Sequence, residues 1–320
     1  MEKNTLLLGL LIIACPLIAQ KQSTIAVWLT DPGSNSYFAK QAPLSFQQNE
    51  TGKLTVINTD DSKKFQTIDG FGFALTGGSA MHLMKMQQDA RTALLKKLFA
   101  TNADNIGTSY LRISMGASDL DEAPFSYDDL PAEETDPELK KFNLGKDKKY
   151  LLPVLKEILQ INPAIKIMAS PWSPPVWMKT NGDTRGGNLI LAYYPVYARY
   201  FVRYIQEMKK QGIRIDAVTL QNEPLHTGNN PSMQFLAEEE AVFVKSHLGP
   251  AFQAARINTK IIVYDHNADK PEYPISILND AEARKYIDGS AFHLYAGKIE
   301  ALSKVQEAHP DKNLYFTEQW

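Results

Sequence analysis

From about residue 66 onward, short β-prone runs alternate without exception with longer helical ones. The β-prone runs are 66–75, 108–115, 166–170, 217–221, 260–264, 290–295 and 313–317. The helical runs between them are 79–99, 149–159, 191–211, 237–256, 275–286 and 299–308. In the first of these, Leu83, Met86, Leu94, Leu95 and Leu98 recur near helical spacing. Such alternation dictates a parallel sheet, because a parallel strand can be reached only by a crossover, and a helix is the usual crossover. Seven strands with no central switch predict an α/β fold of the (β/α)8 barrel type rather than an open doubly wound sheet. The polar and aromatic clusters follow strand ends, including a long acidic loop over 116–147, and a barrel builds its site at that face.

Upstream, Thr24–Thr30 and Leu54–Ile57 are β-prone, with turn residues Asp31-Pro32-Gly33 and Asn49–Gly52 between them. The first residues read as an export signal. A polar start carrying Lys3 precedes an apolar run, Leu6–Ala14, and a cleavage site after Ala19. The expectation is therefore a signal peptide over 1–19 and a periplasmic or extracellular protein. Ile12-Ile13-Ala14-Cys15 also resembles a lipobox, the alternative in which Cys15 is lipidated. Apart from the signal, no apolar run approaches the ~18 residues of a membrane span. Cys15 is the sole cysteine, which excludes a disulfide framework and a cysteine-rich metal site. Thirty-four basic against 36 acidic residues leave a net charge of −2, with no basic excess to bind a phosphate backbone, so nucleic acid is not an expected partner.

Two carboxylates stand out. The fourth predicted barrel strand runs into Gln221-Asn222-Glu223-Pro224, and the seventh into Phe316-Thr317-Glu318-Gln319-Trp320. Either glutamate alone reads as a solvated loop acid or a helix cap. Together, on strands that face each other across a barrel mouth, they match what glycoside hydrolysis with retention requires: two carboxyls about 5–5.5 Å apart, one nucleophile and one acid/base. That chemistry also requires their pKa values to be pushed apart, so that one is ionised while the other is protonated.

The chain resembles glycoside hydrolase family 30, which includes glucosylceramidases and β-1,6-glucanases. The resemblance is carried in order by Asp69-Gly70-Phe71-Gly72, Leu111-Arg112-Ile113-Ser114, Ala169–Lys179 with its Trp172 and Trp177, Gln221–Pro224, Phe292-His293-Leu294-Tyr295 and Phe316–Trp320. It implies Glu223 as general acid/base and Glu318 as nucleophile. It implies that Asn222 holds the sugar's 2-hydroxyl and that Asp119 and Trp172 bind hydroxyls at the far side of the ring. Tyr295 would contact the nucleophile, His293 would line the same strand end, and Arg112 would pair with carboxylates beneath the site. Trp177 and His266 would support that site, although Trp177 reads equally as packing and Asp265-His266-Asn267 as an ordinary turn.

The implied substrate is a β-glucoside, in a glycolipid or a β-glucan. The expected activity is glucosylceramidase-type, with an endo-β-1,6-glucanase of the same family as the alternative and a non-catalytic carbohydrate-binding barrel as the rival class. No metal or cofactor is expected, since the two carboxylates supply acid, base and nucleophile, and the six histidines show no His-Glu-x-x-His spacing. The resemblance further implies a β-sandwich beside the barrel, to which residues 20–64 would contribute. Residues 65–320 would form the barrel, with its eighth strand and the C-terminal β-domain missing. Such an incomplete chain is expected to be poorly soluble or weakly active, because its edge strands would lack partners.

Overall fold

A computed structural model describes residues 23–46, 55–102 and 104–319. The predicted export signal and Cys15 lie outside these residues, as does Leu54. The chain divides into two units, 1–66 and 67–320.

In the first unit, β1 (Thr24–Ile25), β2 (Trp28–Asp31), β3 (Ser36–Lys40) and β4 (Leu44–Ser45) form two antiparallel pairs, β1 with β4 and β2 with β3. The predicted run Thr24–Thr30 is thus split. Pro32–Ser34 makes the β2–β3 turn, with the Asp31 carboxylate accepting from the Gly33 N–H at 3.0 Å and Asn35 taking the left-handed φ of 52°. Thr55–Ile57 form no strand. Among the described residues no partner strand runs beside them, and unpaired β-propensity does not make a ladder.

The second unit contains the seven predicted strands: β5 (Gly72–Leu75), β6 (Tyr110–Ser114), β7 (Lys166–Ser170), β8 (Ala217–Thr219), β9 (Lys260–Ala268), β10 (Ile287–Gly297) and β11 (Asn313–Glu318). They form one sheet in strict chain order, every neighbouring pair parallel. The motif Asp69-Gly70-Phe71-Gly72 has a steric reason here. A Cβ on Gly72 would lie 1.5 Å from the Tyr110 carbonyl oxygen, so only glycine lets β5 and β6 approach so closely.

The predicted helices form, but three are interrupted. The run 79–99 becomes α1 (Gly77–Lys85) and α2 (Gln88–Phe99), parted at Met86 by an extended ψ of 153°. The helices α3 (Leu151–Ile161) and α4 (Tyr194–Lys210) stand close to expectation, whereas 237–256 splits into α5 (Ala237–Phe243) and α6 (Gly249–Ala254) around a π-helical turn, Val244–Leu248. Pro250 has no N–H to continue the ladder, which accounts for the widened turn ahead of it. Asp280 ends α7 (Glu272–Asn279) and caps α8 (Ala281–Arg284), its carboxylate accepting from the N–H groups of Glu282 and Ala283. The last helix is α9 (Glu300–Ala308). The main core lies between sheet and helices. Tyr197, Tyr200, Phe201, Tyr204 and Met208 line one face of α4 and are all essentially buried. On the other face of the sheet Met168, Ala217, Ile262 and Ala291 form a small separate cluster, with Tyr110 and Tyr315 against it.

Candidate active site

That small cluster sets the register of the site. Side chains alternate along a strand, so the residue two places on shares the same face. Two places beyond Tyr110, Met168, Ala217, Ala291 and Tyr315 stand Arg112, Ser170, Thr219, His293 and Thr317. The apolar layer is thus followed toward the strand ends by a polar one. Only β9 departs from the rule. Two places beyond Ile262 is Tyr264, which packs in the main core against Tyr273 and Phe292. The pairing with β10 passes from Ala291–Tyr264 directly to Phe292–His266, leaving Asp265 as the extra residue of a bulge. Tyr264 and Asp265 both take positive φ, 79° and 55°. This backbone strain places the Asp265 carboxylate in the polar layer.

Asp265 is fully buried and is the hub of the layer. Its Oδ2 accepts from Ser170 Oγ at 2.6 Å, Thr219 Oγ1 at 2.7 Å and Arg112 at 2.8 Å; its Oδ1 accepts from Thr317 Oγ1 at 2.7 Å and faces His293 Nε2 at 3.1 Å. Burial alone would raise its pKa. The Arg112 charge and the His293 and Ser170 hydrogen bonds outweigh burial and hold it well below the carboxylate range. Arg112 forks further, to Glu318 Oε2 at 2.7 Å and Asn222 Oδ1 at 2.7 Å, and its guanidinium lies 4.9 Å from the Trp172 ring centre.

The two glutamates arrive on unusual backbone. Glu223 follows the three-residue β8 at a φ of 46°, its N–H donating to the Asp265 carbonyl at 3.0 Å. At β11 the pairing with β10 skips Thr317, so Thr317 and Glu318 both reach the polar layer. An oxygen of Glu223 and an oxygen of Glu318 lie within 4.8 Å of each other, with a His293 nitrogen equally near. His293 is fully buried and bridges the acids, with Nδ1 3.2 Å from Glu223 Oε1 and Nε2 3.1 Å from Asp265 Oδ1. Both ring nitrogens of His293 thus face carboxylates. Tyr295 donates to Glu318 Oε1 at 3.2 Å. Burial and then the Glu318 charge push its hydroxyl pKa upward, so it remains a donor.

The electrostatics differ from the expectation of a resting protonated acid. Burial works to raise the Glu223 pKa, but His293, His266 and Asn229 together bring it below the ordinary glutamate value. His293 is shifted the other way: burial opposes its charge, yet the Asp265 and Glu223 carboxylates raise its pKa.

The remaining predicted residues are distributed unevenly. Trp172 is buried beside Arg112, and its indole N–H has no partner. His266 is buried against Tyr264, without a hydrogen bond to either glutamate. Asp119 is exposed on the loop after β6. Trp177 spends its N–H on the Asp128 carbonyl at 3.0 Å and packs edge-on to Tyr193, so it braces the loop rather than meeting the carboxylates. Sequence reasoning left Asp265 undecided and missed Asn229, whose Nδ2 donates to Glu223 Oε2 at 2.9 Å.

Residues 68–319 match the family model described as the glycosyl hydrolase family 30 TIM-barrel domain. The chain belongs to glycosyl hydrolase family 30. Its family 30 relatives include an endo-1,6-β-D-glucanase of Neurospora crassa, 39% identical over 280 residues that make up 85% of this chain and 57% of that protein. The lysosomal acid glucosylceramidase of Mus musculus is 30% identical over 86% of this chain and 55% of its own length. A solved endo-β1,6-glucanase superposes with a TM-score of 0.84 at 38% identity, covering 92% of this chain and 65% of that one. The chain therefore spans little more than half the length of these curated relatives.

Proposed function

We propose that the protein is a retaining β-glycosidase acting on β-1,6-linked glucan. The observation that carries the reaction class is the approach of Glu223 and Glu318 to within 4.8 Å, the short spacing of a double displacement rather than the 6.5–9.5 Å that leaves room for a water in inversion. Glu318, oriented by Arg112 and Tyr295, attacks the anomeric carbon. Glu223 protonates the departing oxygen, then takes a proton from the water that releases the glycosyl-enzyme. Asn222 has its Oδ1 committed to Arg112, which leaves its amide N–H groups for a sugar hydroxyl. The β-1,6-glucan reading draws on the endo-1,6-β-glucanase relatives at 39%, 36% and 32% identity, against 33% and below for the glucosylceramidases. Export suits a polymeric substrate and draws on the signal-like Met1–Ala19.

The test is hydrolysis of β-1,6-glucan, glucosylceramide and an aryl β-glucoside, with the anomer of the first product recorded. Cleavage of β-1,6-glucan with retention is expected, and cleavage of glucosylceramide alone overturns the substrate assignment. Azide separates the carboxylate roles on the aryl glucoside. With Glu318→Ala it attacks directly and yields the α-azide; with Glu223→Ala it intercepts the glycosyl-enzyme and yields the β-azide. No turnover of any of the three substrates overturns the enzyme.

A further inference from the structure

The loop from Pro224 to Gln234 carries Asn229, and a second loop, 179–188, holds it from outside the polar layer. Ser232 is gripped on every polar atom: its N–H donates to the Thr184 carbonyl at 2.9 Å, its hydroxyl accepts from the Gly186 N–H at 3.0 Å and donates to the Thr227 carbonyl at 3.0 Å, and its carbonyl accepts from Lys179 Nζ at 2.7 Å. Thr184 Oγ1 also donates to Asn230 Oδ1 at 2.7 Å, and the Gln234 N–H donates to the Gly187 carbonyl at 2.9 Å. Lys179 is 3% exposed, and its ammonium donates to two backbone carbonyls, Ser232 and Thr184, one from each loop. Burying an ammonium on neutral acceptors is costly; burial lowers its pKa to about 8, with the Asp183 charge opposing. A buried cation that does no more than join two loops implies that their relative position matters.

We propose that Lys179 and Thr184 are positioning residues that latch the 224–234 loop, so that Asn229 donates to Glu223 Oε2 and sets the proton affinity of that carboxyl. A donor to the carboxylate form favours ionisation, and the other oxygen, Oε1, faces His293 Nδ1 at 3.2 Å. Asn229 therefore keeps Glu223 acidic enough to return its proton during turnover. The other charged or titratable groups facing this carboxyl are His293 on β10, His266 on β9 and Glu318 on β11, with Arg112 and Tyr295 beyond.

The proposal rests on Glu223 being the acid/base, whose proton sets the basic limb of kcat/KM. Loss of one neutral hydrogen bond to the carboxylate moves that limb up by about 0.7 pH unit. Asn229→Ala is expected to give this shift on an aryl β-glucoside, and Lys179→Met and Thr184→Val a shift of the same sign. A limb that stays in place in Asn229→Ala overturns the role of Asn229. A shift in Asn229→Ala but none in the other two overturns the latch, with Thr184→Val deciding alone should Lys179→Met fail to fold. Glu223→Gln keeps the two readings apart. If that variant retains wild-type activity on β-1,6-glucan, the assignment of Glu223 fails; if it is inactive while the limb of Asn229→Ala is unmoved, only the present proposal fails.

Discussion

At the scale of single residues, Arg112 is the point where the site is least tolerant. One planar guanidinium serves Glu318, Asn222, Asp265 and Ser170 at 2.7, 2.7, 2.8 and 3.3 Å. A lysine carries the same charge but cannot reproduce that fork. Each charge-assisted hydrogen bond lost costs about 1.5–3 kcal/mol. Arg112→Lys is therefore expected to lower kcat/KM on an aryl β-glucoside by roughly 10- to 150-fold. Steady-state kinetics of folded variant, verified by its melting curve, check this, and wild-type kinetics would show that the fork is dispensable. Glu223 and Glu318 were legible as a pair, because two acids at the ends of strands facing across a barrel are hard to explain together as loop acids, whereas Arg112, His293 and Tyr295 entered only through the family motifs. Trp177 shows the limit of that logic: an aromatic in a proline-rich loop looks the same in sequence whether it faces a substrate or braces the loop.

At the scale of the elements, the strands were legible because their apolar runs are separated by clear helices. Asp265 was not, because its position depends on a bulge. Counting by twos along β9 puts Tyr264 in the site and Asp265 in the core; the extra residue reverses both. No compositional feature announces that reversal, since its cause is the pairing with β10. The helix breaks at Met86, around the π-helical turn and at Asp280 escaped notice for a similar reason, as apolar periodicity runs through them. The bulge makes a specific prediction. Asp265→Asn keeps the backbone but removes the buried charge that raises the His293 pKa. The His293 resonance in a pH-titrated NMR series should then titrate at lower pH than in the wild type. A His293 titration that stays in place or moves upward would show that Asp265 does not sustain the imidazolium charge. The Asn229 contact, made through a loop held by backbone carbonyls, leaves no trace in residue type.

At the scale of the whole molecule, buried acids outside the site make stability depend on pH. Asp147 is buried, accepts from Tyr127 Oη at 2.6 Å, and has a pKa raised by burial to about 7; Asp128, buried with neither oxygen partnered, is likewise raised to about 7. An unfolded aspartate titrates near 3.9, so between about pH 4 and 7 the folded chain retains protons that the unfolded chain releases. Each acid thus contributes a destabilisation that is absent below pH 4, grows with pH and is complete above 7. Asp147→Asn should accordingly melt at increasingly higher temperature than the wild type as pH rises from 4 to 7, by up to a few kcal/mol in stability. A constant gap in calorimetry across that range would refute the assignment. The sheet order has a further consequence, in the time taken to make the chain. Arg112 leaves the ribosome long before its counter-charges: Asp265 follows 153 residues later and Glu318 206 residues later. At translation rates of roughly 5–20 residues per second, the guanidinium waits on the order of ten seconds or more for its last partner. The mouth of the sheet stays hydrated through that interval, and the charge network around Arg112 is completed only when β11 arrives.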